Sequence, residues 1–103
     1  MEKEKCEALI EMFQNIFKLQ PSLIIEDEFG CTVSAEFQHK NTKIILEISD
    51  LPNEEKKEFE TSTQIPTVEF HKLKLKNGTF HYIISFYFHN DVIGKYVVRI
   101  YIE

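Results

Sequence analysis

From Gly30 onward the chain alternates apolar and polar residues with a period of two, and this pattern leaves little choice of fold. Cys31, Val33, Ala35 and Phe37 fall on one parity, with Thr32, Ser34, Glu36 and Gln38 on the other. Successive side chains on a β-strand point to opposite faces, so the run reads as a half-buried strand. The same phase recurs in Ile44, Leu46 and Ile48. It returns in Phe80, Tyr82, Ile84, Phe86 and Phe88, and again in Tyr96, Val98, Ile100 and Ile102. Strands of this kind, joined by short turns, are expected to form an antiparallel sheet with one apolar face.

Turn chemistry sets the expected registers. A two-residue turn at Lys40-Asn41 places Phe37 opposite Ile44, Ala35 opposite Leu46 and Val33 opposite Ile48, so core meets core. Asn77-Gly78 is the strongest short-range hairpin signal in the chain and reads as a type I′ turn. That turn sets Leu75 opposite Phe80, Lys74 opposite His81 and Leu73 opposite Tyr82. A three-residue loop at Asn90-Asp91-Val92 sets Phe86 opposite Tyr96, Ile84 opposite Val98 and Tyr82 opposite Ile100. Val68 and Phe70 share one parity and Leu73 and Leu75 the other, so a β-bulge is expected near His71-Lys72. Residues 23–26 are a short apolar run that reads as an edge strand without a fixed neighbour.

Before the strands, residues 3–19 read as a helix. Cys6, Leu9, Ile10, Phe13, Ile16 and Phe17 recur at the spacing of one helical face. Pro21 disfavours helix at Gln20 and is expected to end it. The expected fold is therefore a single α+β domain over residues 1–103, with one N-terminal helix on one face of a five- to six-stranded antiparallel sheet. Residues 50–66 form the one long connection, polar and acidic between Pro52 and Pro66, with Asn53 able to cap a helical turn. It reads as a solvated loop, with a lid or docking role as the lesser reading.

This layout resembles the cystatin-like and NTF2-like architectures by analogy alone. The chain has neither the QxVxG-type loop nor the Pro-Trp loop of cystatin inhibitors, and it contains no Trp. The extra helices of NTF2-like chains are also missing. The helix–hairpin order followed by Leu51-Pro52 and Ile65-Pro66 resembles RWD interaction domains, without their C-terminal helices. No residue's role carries over from these resemblances.

Charge and motifs narrow the function. The net charge is −5 and Arg99 is the one arginine. Phosphate neutralisation needs Lys and Arg, so nucleic-acid binding is disfavoured. Its residual form is a single strand on an aromatic face near Lys72, Lys74 and Lys95. No GxGxxG, P-loop or HExxH motif occurs. His39, His71, His81 and His89 do not converge in the expected registers, so neither metal nor cofactor is expected. Cys6 and Cys31 read as buried thiols in a reducing compartment, with a disulfide only where helix and strand align them. The N-terminus is charged and no apolar run reaches the ~18 residues of a membrane span. An intracellular setting, cytoplasmic or nuclear, and no membrane role are the expectation.

No catalytic constellation is present, so the expected function is a non-enzymatic protein-interaction module. Its site is expected on the sheet face away from the helix, or on a free edge at the last strand, with a protein partner or the chain itself as a homodimer. The candidate residues are Ile83, Tyr87, Val97, Arg99, Tyr101 and Lys95. Tyr anchors rimmed by Lys and Arg suit an interface. The alternative is a small-molecule binder or minimal enzyme with a pocket between helix and sheet, lined by Phe13, Phe17, Phe80 and Tyr82.

Overall fold

The computed structural model describes residues 3–28, 30–50, 68–78, 80–91 and 93–103. Helix α1 spans Lys3–Phe17. Six strands follow: β1 Leu23–Asp27, β2 Gly30–His39, β3 Thr42–Asp50, β4 Val68–Lys74, β5 Phe80–Asn90 and β6 Gly94–Ile102. They form one antiparallel sheet in the order β1-β2-β3-β6-β5-β4. The expected α+β fold with one N-terminal helix is the one observed. The expectations for residues 51–66, including the cap at Asn53, lie outside the described residues.

The helix ends two residues before the predicted limit. Lys18 still donates its N–H to the Gln14 carbonyl (3.0 Å), then adopts φ 56°. That left-handed residue turns the chain out of the helix before Pro21 can act. Leu9 and Phe13 on the inner face are fully buried. They pack with Val33, Ala35, Leu46 and Ile48 from β2 and β3, and with Tyr96 and Val98 from β6.

The β2–β3 hairpin has the predicted register, with Val33 opposite Ile48 and Phe37 opposite Ile44. Lys40 takes φ 58° in the two-residue turn. The run at residues 23–26 is an edge strand, paired with β2. At the start of β2, Gly30 is required by close approach. A Cβ there would collide with the Asp50 carboxylate, which accepts the Cys31 N–H at 2.7 Å.

Two registers differ from the sequence reading. In the β4–β5 hairpin, Leu75 to Gly78 close a turn in which the Gly78 N–H bonds the Leu75 carbonyl at 3.0 Å, with Gly78 at φ 86°. Asn77 and Gly78 are thus the third and fourth turn residues, not the two central ones. Pairing moves by one residue, to Lys74 opposite Phe80, Leu73 opposite His81 and Lys72 opposite Tyr82. A slip of one exchanges faces. The ladder is then regular, so no bulge forms at His71-Lys72, and Leu73 sits on the face away from the helix. In the β5–β6 hairpin the pairing moves by two, to Phe86 opposite Val98 and Tyr82 opposite Ile102. Here the Asn90 side chain accepts the Ile93 N–H (3.2 Å), which keeps Asn90 paired with Gly94. Ile93 then turns into the core. A slip of two preserves faces.

β6 lies between β3 and β5, so the last strand is not a free edge. The edges are β1 and β4. Cys6 and Cys31 are joined by a disulfide, with Cα atoms 5.4 Å apart. Helix and strand do align them, which corrects the expectation of free thiols. A disulfide fits an oxidising setting better than the reducing one expected. Among the described residues no helix is long and apolar enough to cross a membrane.

Candidate interaction surface

The face away from α1 holds all six predicted residues, because the β5–β6 slip preserved parity. Ile83 lies opposite Tyr101, Ser85 opposite Arg99, Tyr87 opposite Val97, and His89 opposite Lys95. They do not form an exposed apolar patch. Val97 is fully buried, as is nearly all of Ser85, which corrects the expected exposure of Val97.

Polar groups roof this face. Arg99 Nη1 lies 3.5 Å from Glu47 Oε1 and donates to Ser49 Oγ at 3.3 Å. The Tyr87 hydroxyl donates to Glu69 Oε2 at 3.4 Å, and His71 Nε2 sits 3.2 Å from the same oxygen. The Tyr101 hydroxyl lies near Glu47. His81 lies 3.4 Å from Glu103, and Lys43 lies 3.3 Å from Glu36. Burial first, and then the neighbouring Glu69, push the Tyr87 phenol above its ordinary value. Burial and Glu47 do the same to Tyr101. Both phenols therefore stay neutral hydrogen-bond donors within a mutually paired lattice.

Nucleic acid fits this face poorly. Glu47 on β3 and Glu69 on β4 flank the two tyrosine-bearing strands on either side, where phosphates would have to pass. The register slip also moves Lys72 and Lys74 to the helix side. His71 and His81 lie opposite Ile83 and Leu73, and each is tied to one carboxylate.

The exposed phenylalanines of β4 and β5 lie on the helix side; exposed aliphatic side chains also line the β1 edge at Leu23, Ile24 and Ile25, and Leu73 is open on the opposite face. Six strands span about 24 Å at ~4.8 Å spacing, whereas a helix is about 10 Å wide. α1 packs on β2 and β3, so one helix covers about half of the face. The uncovered half presents Phe70, 61% exposed, and Phe88, 47% exposed, with Val68 and Phe80 also open. Tyr82 links Phe70 and Phe80, with ring centroids 6.0 and 6.5 Å away. Lys72 Nζ lies 4.1 Å above the Phe80 ring, a cation–π contact. Phe88 stacks on Tyr96 at 5.4 Å. By the observed pairing, no carboxylate lies on the helix side of β4, β5 or β6.

At the boundary between covered and uncovered halves runs an apolar cleft of about 390 Å³. Ile16 and Phe17 line it from α1, Phe86 and Phe88 from β5, and Tyr96, Val98 and Ile100 from β6. Of the four residues predicted for a pocket, only Phe17 lines it; Phe13 is sealed in the core. The sequence reading placed Phe80 and Phe88 in the core and missed their exposure. Comparing strand count with helix width is the signal that finds them.

The chain matches no known family model, no curated protein and no solved structure.

Proposed function

We propose that this chain is a non-enzymatic protein-interaction module that acts through the uncovered β4–β5 half of its helix-side face and the adjoining β4 edge. One observation carries the reading: Val68, Phe70, Phe80 and Phe88 are exposed together on one sheet face. At about 200 Å² per aromatic side chain, the three phenylalanines alone leave roughly 300 Å² open. Exposed apolar patches beyond a few hundred Å² mark association sites. Covering that area is worth roughly 7 kcal/mol before the entropy of association is subtracted. The predicted face favours this role less, because its polar groups already satisfy one another and Val97 is out of reach.

An intracellular location belongs to this reading only if the Cys6–Cys31 bond resists cellular thiols. Burial of both cysteines supports such resistance, since exchange needs a thiolate to reach a sulfur.

The cleft supports a second reading, an apolar small-molecule site. Its size falls within the usual range for ligand pockets, but the convergent polar groups that orient a ligand are sparse.

Affinity capture tests the first reading with three baits: wild type, Phe70→Asp/Phe88→Asp, and Tyr87→Ser on the opposite face. Proteins held by wild type and Tyr87→Ser but lost from the double variant support it. Equal capture by all three refutes it.

A further inference from the structure

The uncovered half of the helix-side face has the form of a step. α1 stands on β2 and β3, and its body rises roughly 10 Å above them. Beside it, the β4–β5 half of the sheet is open. Two sheets packed face to face also lie roughly 10 Å apart. The β4–β5 half of another sheet therefore fits the layer that α1 already occupies.

We infer that the occupant of this surface is a second copy of the chain, related by a two-fold axis, with the β4–β5 half of each sheet packed on that of the other. The inference rests on the protein-interaction reading and adds the identity of the partner.

The first argument is area. The exposed phenylalanines supply roughly 300 Å² per copy. Val68 on the sheet, and Ile16 and Leu19 at the end of α1, are also open. Together they extend the patch toward the ~800 Å² that each side of a standard interface contributes. In a two-fold contact the same residues serve both sides, so one patch is enough and the assembly closes at two copies.

The second argument is the edge. β4 ends the sheet, and its seven-residue ladder to β5 has no bulge. A regular edge strand that no other described strand pairs with is an aggregation hazard. In the stepped arrangement the partner's α1 lies in the same layer as this sheet, alongside β4, and covers that edge.

Light scattering across a wide concentration series tests this. The wild-type mass is expected to rise from 12.2 kDa to twice that value. Phe70→Asp/Phe88→Asp is expected to stay at the single-chain mass with an unchanged far-ultraviolet dichroism spectrum. If the double variant loses that spectrum, the single Phe70→Ser, at the most exposed of these aromatics, replaces it with the same expectation. A wild type that stays monomeric throughout overturns the second-copy assignment, as does a dimer that persists in the folded variant. A helix from another protein would leave the wild type monomeric here while still separating the three capture baits, so failure of this inference is distinct from failure of the interaction reading.

Discussion

Reducing the Cys6–Cys31 bond in the folded chain removes the one covalent link between α1 and β2 while leaving both sulfurs in the core. That isolates the crosslink from packing, which a Cys→Ala pair would also change. The bond spans 25 residues of sequence. Opening a loop of that length returns about 12 cal/mol/K to the unfolded chain, so the reduced protein should be less stable by about 3.5 kcal/mol at 25 °C. With an unfolding entropy of about 0.2 kcal/mol/K for a domain of this size, the melting temperature should fall by about 15 °C. Urea unfolding followed by far-ultraviolet dichroism, with and without a phosphine reductant, measures the difference, and thiol titration in denaturant verifies reduction. Because both cysteines are buried, reduction should proceed no faster than the protein opens. A loss below about 1 kcal/mol with both thiols titrating free would refute the loop-closure argument.

Other perturbations probe separate parts of the account. Val97→Asp should destabilise the monomer by about 3 kcal/mol, because it places a carboxylate in a site with no exposure; denaturant melts give the value, and a mild effect would mean that the polar roof opens easily. Gly30→Ala should cost about 2 kcal/mol, since its Cβ meets the Asp50 carboxylate and its φ of 155° disfavours a side chain; an unchanged melt would show that Asp50 swings aside freely. Stability should fall as pH rises above 10. Tyr87, Tyr96 and Tyr101 all have phenols raised above the ordinary value of 10.0, by burial first. A raised folded value favours the protonated form, so that stability is fully present below the unfolded value and is lost as pH rises through the folded one. Phenolate absorbance and melts recorded over the same alkaline series check it, and flat stability across that range would contradict the burial of these hydroxyls.

Much of the architecture was legible because it rests on period-two patterning. The β2–β3 register followed from matching core residues around Lys40-Asn41. The helix followed from the spacing of Cys6, Leu9 and Phe13. Turn chemistry was less decisive. Asn77-Gly78 has the composition of a type I′ turn, yet it occupies the end of a turn that begins at Leu75. One residue of slip moved Lys72 and Lys74 to the other face. Asn90 held the last hairpin two positions from its expected register through a side-chain bond that composition does not reveal.

The candidate surface was legible only in part. Sequence grouped Ile83, Tyr87, Val97, Arg99, Tyr101 and Lys95 on one face, and they do share it. It could not see that Glu69 and Glu47 arrive from neighbouring strands to satisfy Tyr87, Tyr101 and Arg99. Nor could alternation tell that Phe80 and Phe88, in phase with the core, lie beyond the reach of α1. Parity fixes the face of a side chain; what lies over that face depends on the order of strands, which places β5 and β4 on the far side of β6.

Lysine labelling tests the central claim most directly, because Lys72 and Lys74 sit within the uncovered half while Lys5 lies on α1, Lys18 just beyond its end and Lys95 on the opposite face. Acetylation rates for each lysine, read by mass spectrometry, should slow at Lys72 and Lys74 relative to Lys95 as concentration rises or as a captured partner is added. Rates at Lys72 and Lys74 that stay constant relative to Lys95 under every condition would contradict the assignment of the β4–β5 face as an interface.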